Sequence, residues 1–480
     1  MNFGRVLHIL GLLLLVLAGA QLIPIASCLA NGEQRAVIAF LSGAVATALL
    51  GGLLRIIGHR EGELYRREGV LIVIGAWALA SLTGAIPYML SGAIPHPVDA
   101  LFESASGFTT TGASILVDIE AAGRGVLFWR SFTQWLGGIG IVVLFVALLS
   151  ELGPGARFLF KLEVPGPKAE VLHERVRETA LALFRIYAAL SVVEFALLML
   201  CGLDLYDALT HTFSTVSTGG FSPYAESVGR YSAGVQVVVT LFMVAAGVNF
   251  SLYYAFVRSR SALVLRDVEL RFYGGLLAVA ALVMYVDVYG RSFDGVTVSL
   301  LDVCFQVVSV LTTTGFATAN FDSWPDFSRV LLVALMFIGG CAGSTAGGAK
   351  IVRLIVGWKA TMRDVRLTFS PRSVIAVVVG GQPVPEESVR SVVSFLVLWF
   401  LTWAVGALLL SIGDTEVLTA ATASIATLAN IGPGLAGVGP TENYAFFAAW
   451  QKLVMVILMW LGRLELFAVL ALAQPQFWRH

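Results

Sequence analysis

The sequence has few charged side chains, few cysteines and no polar stretch long enough for a soluble domain. Of its 480 residues, 13% are charged and 58% are hydrophobic, and 31 basic residues balance 31 acidic ones. A soluble core of this size cannot bury so much apolar surface, so the composition excludes a soluble globular protein. The zero net charge gives no reason to expect a nucleic-acid partner. We therefore expect an all-α, polytopic membrane protein.

Residues typical of metal sites and enzymes are also sparse. Four cysteines lie far apart in apolar segments, at Cys28, Cys201, Cys304 and Cys341. This distribution favours small buried packing residues over a disulfide framework or a zinc site. The histidines show no ligand clustering, and no nucleophile–base pattern is recognisable. We expect no enzyme activity and no cofactor in this chain.

Apolar runs of membrane-spanning length recur along the whole chain. We predict ten spans, at about residues 7–29, 36–57, 70–92, 126–149, 180–202, 233–257, 272–290, 328–357, 391–412 and 446–472. The first run is interpreted as a retained span, with a cleaved signal peptide as the alternative, since residues 25–28 resemble a lipoprotein cleavage box.

Lysine and arginine are concentrated in the loops of one side: after the second span, before the fifth, between the sixth and seventh, and after the eighth. By the positive-inside rule these loops are cytoplasmic, and an even number of spans places both termini there too. Residues 370–387, with Gly380 and Gly381 between two extended runs, predict a small cytoplasmic hairpin.

A short polar run ending in glycine occurs four times between apolar spans. These four glycine turns are Thr109-Thr110-Thr111-Gly112, Val216-Ser217-Thr218-Gly219, Thr312-Thr313-Thr314-Gly315 and Leu428-Ala429-Asn430-Ile431-Gly432. Their last glycines recur 107, 96 and 117 residues apart, which indicates a repeated structural unit. Non-helical backbone at membrane depth is tolerated where it is buried in protein or lines a wet cavity, so we expect the turns to converge on one pore axis.

An acidic residue precedes each of the first three turns by about three helical turns. Asp99 and Asp302 lie 13 residues before their glycines, and Asp207 lies 12 before its own. We expect each to cap the amino end of a half-helix whose carboxyl end points to the axis, where its partial negative charge favours a cation. Backbone carbonyls of the turns can then replace the hydration shell of a monovalent cation, as in potassium channels.

The whole plan resembles the TrkH/KtrB family of potassium transporters, and the two extra spans at the amino end resemble its TrkH branch. Similar motifs lie at residues 106–112, 135–140, 217–221, 313–316, 339–350, 430–434 and 461–465. The resemblance implies four pseudo-symmetric span, pore-helix, filter-loop and span repeats around one pore, in a homodimer of the bacterial cytoplasmic membrane. It further implies control by a cytoplasmic, TrkA-like ring of nucleotide-binding subunits.

On this basis we divide the chain into a two-span addition, residues 1–68, and pore repeats at residues 69–160, 161–265, 266–372 and 373–480. The potassium-binding residues are then Thr110, Thr111, Gly112, Ser217, Thr218, Gly219, Thr313, Thr314, Gly315, Asn430, Ile431 and Gly432. In related plant transporters, serine at the first filter glycine accompanies sodium preference, whereas this chain has Gly112. The fourth turn departs from Thr-Thr-Gly, because Asn430 and Ile431 precede its glycine.

The eighth predicted span is interrupted by glycines and small hydroxyl residues, which resist a continuous helix. The residues concerned are Gly339, Gly340, Gly343, Ser344, Thr345, Gly347 and Gly348. A tight helix-packing face is one interpretation; a phosphate loop is excluded because the adjacent Gly-Lys-Ser/Thr is missing. The family resemblance implies an intramembrane gate below the filter, which is the interpretation we favour.

Two charged residues lie inside predicted spans, where a charge is costly unless it faces protein or water. Arg463 would raise a barrier to cations, and the family resemblance implies that it lies beside the gate; an ion pair to Glu465 or to a distant carboxylate is the alternative. For Glu194 we favour a hydrogen-bonded carboxylate between helices over a role in proton coupling. Arg130, Arg185 and Lys452 lie near span ends and are expected to extend toward the membrane surface.

The function that follows is potassium-selective uptake through a gated, channel-like pore. The alternative is a symporter that couples potassium to protons or sodium. No inverted repeat is visible and the four units share one orientation, which favours the pore.

Overall fold

The structure is a computed structural model that describes residues 1–59, 66–151, 172–259, 262–293, 296–464, 466–472 and 474–478. Its α-helices are α1 (Phe3–Ala20), α2 (Ile25–Ala30), α3 (Gln34–Ile57), α4 (Arg66–Gly84), α5 (Ile86–Ser91), α6 (Pro97–Phe108), α7 (Arg124–Glu151), α8 (Leu172–Leu200), α9 (Leu205–Val216), α10 (Ala233–Ala246), α11 (Phe250–Ser259), α12 (Val268–Val288), α13 (Leu300–Leu311), α14 (Asp326–Met336), α15 (Ile351–Phe369), α16 (Glu386–Leu410), α17 (Val417–Leu428), α18 (Ala449–Leu464), α19 (Leu466–Leu472) and α20 (Pro475–Trp478). Single 3₁₀ turns lie at Glu120–Ala122, Ser227–Arg230, Ala262–Arg266, Phe321–Ser323 and Ala436–Val438.

Helices occupy all ten positions at which the sequence predicts spans. Within the described ranges, six helical stretches are long and apolar enough to cross a membrane, and the bent pair α10 and α11 would make a seventh. The other three predicted spans coincide with α7, with α14 and α15, and with α18 and α19. The molecule is thus a multi-pass membrane protein, while the total of ten spans stays a prediction.

Four helices of 12 residues each, α6, α9, α13 and α17, precede the four glycine turns. Each lies in sequence between helices of two consecutive predicted spans, as the repeated pattern predicts. Their length agrees with the three helical turns expected from the spacing of the acidic residues. The half-helices of the sequence-based plan are therefore present in all four repeats.

The amino ends of these helices are capped differently from the prediction. Asp207 and Asp302 occupy the third helical position, and the caps themselves are Asp204 and Ser299. Ser299 and Asp302 form a reciprocal capping box, in which each side chain accepts a hydrogen bond from the other's backbone. A carboxylate in the first turn still interacts favourably with the positive end of the helix dipole. The expected electrostatic stabilisation is therefore present, although the capping residue lies three positions earlier in the sequence.

The sixth predicted span is two helices rather than one. Helices α10 and α11 meet at an angle of 89° across residues 247–249. At the bend, Gly247 O accepts a hydrogen bond from Cys341 N, and Phe250 N donates to Gly343 O, both at 3.0 Å. Bonds to a distant loop thus satisfy backbone groups that a straight helix would pair internally, which the apolar run itself does not reveal.

The hairpin predicted for residues 370–387 is present. Strand β3 (Val378–Val379) pairs with β4 (Gln382–Pro383), and the turn between them is Gly380-Gly381, with φ of 58° and 79°. Two left-handed residues match the right-handed twist of the strands, which is why glycine occupies both positions. A second antiparallel pair, β1 (Ser292–Phe293) and β2 (Val296–Thr297), was not predicted.

The two amino-terminal spans pack on each other through small residues. A side chain at Gly11 of α1 would meet the Gly51 carbonyl of α3 at 2.6 Å, so glycine lets the two backbones approach closely.

Cys28 and Cys341 are buried packing residues as predicted, whereas Cys201 is exposed and Cys304 is partly exposed.

Candidate functional site

The four 12-residue helices end in the same backbone motif. In the first, Thr111 N donates to Ser106 O at 2.8 Å and Thr110 N donates to Gly107 O at 3.0 Å. This pair of bonds is the Schellman motif, and it recurs at equivalent positions after α9, α13 and α17. The residue after each cap is left-handed, with φ of 54° to 57°: Thr110, Thr218, Thr313 and Asn430. Four segments far apart in sequence therefore share one conformation.

Threonine is an unusual residue for this conformation. Its branched Cβ crowds the backbone at positive φ, where glycine or asparagine is the common choice. Strain of this kind costs on the order of 1–3 kcal/mol per residue and persists where the surrounding structure enforces it, typically at functional sites. Its occurrence at three equivalent places marks the turns as the candidate site.

Each motif ends two residues later in a glycine of positive φ. These glycines are Gly112, Gly220, Gly315 and Gly432, with φ of 80°, 76°, 82° and 102°. The sequence predicted that the second turn ends at Gly219, but in the structure it ends one residue later, at Gly220. Gly219 therefore occupies the position that Thr111 has in the first turn. Two adjacent glycines made both alignments possible in sequence, and only the backbone distinguishes them.

The four glycines form a closed ring. A Cβ atom on Gly112 would collide with the carbonyl of Gly219, one on Gly220 with Thr314, one on Gly315 with Ile431, and one on Gly432 with Thr111. Each repeat thus contacts the next, and the fourth contacts the first. The turns converge around a single axis, and the four carbonyls occupy equivalent positions.

The structure brings all twelve predicted potassium-binding residues together in this ring. The threonines, Ser217, Asn430 and Ile431 are buried, whereas Gly112, Gly220 and Gly315 remain partly exposed. Three of the four ring glycines are therefore accessible, whereas Gly432 is buried like the rest of the ring. The fourth turn also joins the first directly, because Asn430 Nδ2 donates to Thr111 Oγ1 at 2.9 Å.

The glycine-rich loop, residues 337–350, lies against the base of the ring, where the 12-residue helices end. It has no helical structure, as predicted. Thr345 Oγ1 donates to Val216 O at 3.0 Å, Gly347 N donates to Thr313 Oγ1 at 2.6 Å, and Gly348 N donates to Ala429 O at 3.1 Å. The loop is thereby attached to the carboxyl ends of three of the four helices.

A buried carboxylate that sequence reasoning missed joins the two sides of this loop. Glu269, on the first turn of α12, accepts hydrogen bonds from Ala342 N at 2.9 Å and from Val352 N at 3.0 Å. Its side chain is 8% exposed. The only sequence signal was an acidic residue at the start of a span, and the two backbone donors lie more than 70 positions away.

Arg463 on α18 is buried and joined to the same loop. Its Nη1 donates to Thr345 O at 2.8 Å, and the residue is 3% exposed. Within the described part of the chain, Nε and Nη2 have no hydrogen-bond partner. Glu465, the alternative partner, lies outside the described residues. The guanidinium therefore places a positive charge at the base of the ring.

Two other basic residues differ from the prediction. Lys452 and Arg130 are 5% and 1% exposed, so both side chains are buried within the protein. Lys452 Nζ pairs with Asp99 Oδ1, and Arg130 Nε pairs with Glu103 Oε1, both at 2.7 Å. The partners lie on α6, so each pair fixes a neighbouring helix to the first half-helix. Charge pairing offsets the cost of burial.

Glu194 is fully buried on α8, as its position in a span implies. Within the described ranges, neither of its carboxylate oxygens makes a hydrogen bond of normal length and angle, although Thr215 of the neighbouring α9 interacts with the carboxylate. The hydrogen bond between helices that we expected is therefore not observed there.

The segment that follows the second turn takes part in a hydrogen-bonded cluster around Asp207. Tyr224 and Tyr231 donate their hydroxyls to its two carboxylate oxygens, at 3.1 and 2.7 Å. Burial and the nearby carboxylate raise the pKa of both tyrosines, so the phenols stay protonated and serve as donors. The cluster fixes residues 224–231 to the start of α9.

A family model described as TrkH, a cation transport protein, matches residues 36–479. The chain belongs to this family. Curated relatives named Trk system potassium uptake protein TrkH are 38% identical in Halomonas elongata, 36% in Salmonella typhimurium and 35% in Escherichia coli K12, each over 100% of both chains. The crystal structure of the potassium transporter TrkH from Vibrio parahaemolyticus superposes with a TM-score of 0.87 at 32% identity, again over 100% of both chains. The resemblance inferred from the motifs and the predicted fold class are thereby confirmed.

Proposed function

We propose that this protein takes up potassium across the bacterial cytoplasmic membrane through a gated pore whose selectivity filter is the ring of four glycine turns. The closed ring carries this proposal. Four helix carboxyl ends point their partial negative charge at one axis, which favours a cation. Carbonyl rings of this kind replace the water shell of potassium. The relatives named potassium uptake proteins support the choice of ion.

A pore accounts for the geometry better than potassium–proton or potassium–sodium symport. The four repeats contact one another in cyclic order and in one orientation, whereas alternating access commonly uses inverted repeats that rock around a midplane site. The ring itself offers no pair of halves that could move in this way.

The first test is rubidium-tracer uptake into liposomes that contain the purified full-length protein. We expect uptake to follow the potassium gradient and to be unchanged when a pH gradient or a sodium gradient is imposed at constant membrane potential. Empty liposomes are the control. Uptake against the potassium gradient, driven by protons or sodium alone, would establish the symporter instead.

The gate consists of the glycine-rich loop and Arg463, including the predicted residues Gly339, Gly340, Gly343, Ser344, Thr345, Gly347 and Gly348. Hydrogen bonds to three helix ends and to Glu269 hold the loop across the base of the ring. Because several weak bonds share the attachment, the loop can detach without unfolding the helices that flank it. Movement of the loop opens the path.

Replacing Thr345 with valine is expected to raise basal potassium flux. Valine keeps the shape but removes the hydroxyl that binds Val216 O and Ala246 O. One hydrogen bond contributes about 0.5–1.5 kcal/mol, so basal flux should rise by roughly two- to tenfold. Thr361→Val on α15 is the matched control, because that hydroxyl donates to Gly357 O of its own helix. Equal flux in both variants would leave the loop with a packing role.

In this proposal the protein acts as a homodimer with both termini in the cytoplasm, and a nucleotide-binding, TrkA-like ring on that side controls the gate. The arginine-rich loops on one side support the orientation. The relatives' description as a Trk system supports a further component. The chain itself acts as a transporter and not as an enzyme.

A further inference from the structure

Helix α7 of the first repeat holds the glycine turn of the second. Gln134 Nε2 donates to Gly219 O at 2.6 Å, and Gln134 Oε1 accepts from Phe221 N at 3.1 Å. One helical turn earlier, Arg130 Nη1 donates to Ser222 O at 3.2 Å. Both side chains are almost completely buried, at 0% and 1% exposure. Three of the four residues from 219 to 222 are thus bound by one helix of another repeat.

Arg130 binds the first repeat at the same time. Its Nε pairs with Glu103 at 2.7 Å and its Nη2 donates to Ser114 Oγ at 3.1 Å. Glu103 in turn accepts from Ile115 N at 2.9 Å, so the chain leaving the first turn is held as well. The guanidinium carbon lies 4.0 Å from the ring centre of Phe221. One side chain therefore bridges the segments that follow the first and second turns.

The second turn needs the hydrogen bonds from α7 because its own side chains do not hydrogen-bond each other as those of the first and third turns do. In the first and third turns, two threonine hydroxyls hydrogen-bond each other at 2.8 Å, Thr109 with Thr111 and Thr312 with Thr314. The equivalent positions of the second turn are Ser217 and Gly219, and Gly219 has no hydroxyl. A side chain there would collide with Gln134, which occupies the space. An amide from α7 thus replaces the missing threonine.

The ion pair between Glu103 and Arg130 also has no counterpart at the equivalent sequence positions of the other three repeats. Glu103 lies nine residues before Gly112, and the equivalent positions before Gly220, Gly315 and Gly432 hold His211, Gln306 and Ala423. A buried pair is costly unless all its hydrogen bonds are made. Glu103 and Arg130 make theirs to the segments after the turns, which fixes the position of both segments.

We propose that Gln134 and Arg130 are positioning residues for selectivity: they set the place of the Gly219 carbonyl and the spacing of the first and second turns. This inference rests on the proposed function of the turns as a potassium filter. A carbonyl ring discriminates between potassium and sodium by the number and placement of its oxygens. Releasing one of four oxygens should therefore weaken discrimination more than it weakens conduction.

The test is Gln134→Met, which keeps length and removes both hydrogen bonds. We expect the ratio of potassium to sodium permeability, measured in liposomes containing the full-length protein, to fall about three- to tenfold, as for the loss of one or two hydrogen bonds. The matched control is Gln451→Met, because Gln451 is also buried and binds Leu410 O, Ile412 O and Ala448 N away from the ring. Its permeability ratio should not change.

Arg130 requires a variant that avoids an unpaired buried carboxylate. Arg130→Lys keeps the positive charge beside Glu103 and loses the fork that reaches both Ser114 and Ser222. We expect a reduced permeability ratio with normal amounts of inserted protein. The double variant Arg130→Gln with Glu103→Gln removes both charges and should show the same reduction, which separates geometry from charge.

A merely structural role would lower the transport of both ions equally and leave their ratio unchanged. A normal ratio in Gln134→Met and Arg130→Lys protein that inserts normally overturns the inference. Gly220→Ser distinguishes this failure from failure of the filter itself. If Gly220→Ser alone alters the ratio, the turns are the filter and α7 does not set its selectivity; if none of the variants alters it, the filter assignment is wrong.

Discussion

Gly220→Ser should abolish most of the preference for potassium over sodium, and Gly112→Ser should do the same. Both glycines have positive φ, and a side chain on either would collide with a carbonyl of the next repeat. The carbonyl must move, and a loss of about 1.4 kcal/mol in relative binding is a tenfold loss in selectivity. We expect a decrease of at least about tenfold in the permeability ratio, measured from reversal potentials under bi-ionic conditions.

Gly202→Ser is the matched control for this experiment. Gly202 also has positive φ, at 95°, but nothing lies within 4 Å of the added atom. The backbone strain is then similar while the ring is untouched, so selectivity should stay normal. The same loss in Gly202→Ser would show that strain anywhere in the fold, and not contact in the ring, alters the ratio.

Neutralising Arg463 should raise inward potassium flux by about thirtyfold. Two like charges ~8 Å apart at an effective dielectric constant of about 20 repel by roughly 2 kcal/mol, which corresponds to this factor in cation occupancy. Arg463→Gln removes this charge and weakens the bond to Thr345 O. Arg463→Lys keeps the charge and loses the planar fork. Gln should therefore increase flux more than Lys, measured as initial uptake rates at equal amounts of inserted protein.

The pair of variants separates two contributions of the arginine. Equal flux in Lys and Gln would mean that hydrogen-bond geometry, and not charge, closes the gate. Wild-type flux in both would make Arg463 a structural residue and remove the electrostatic barrier from the proposed gate. Lys452→Gln provides a reference, because Lys452 is also buried on α18 but is already paired with Asp99.

The sequence by itself determined the membrane class, the four repeats, the 12-residue half-helices and the non-helical loop. These features depend on local properties: the length of apolar runs, the repeated spacing of glycines, and the resistance of glycine-rich segments to helix formation. The hairpin at Gly380 and Gly381 followed for the same reason, since its turn chemistry is contained in two adjacent residues.

Only the tertiary structure decided the second turn's register, the bend at residues 247–249 and the partners of the buried charges. Gly219 and Gly220 are equivalent in sequence, and the neighbouring repeat determines which of them belongs in the ring. Lys452 is 353 positions from Asp99, and Glu269 is 73 from Ala342. A charge near a span end is stable either at the membrane surface or beside an opposite charge in the interior, and only packing that brings distant segments together selects between these.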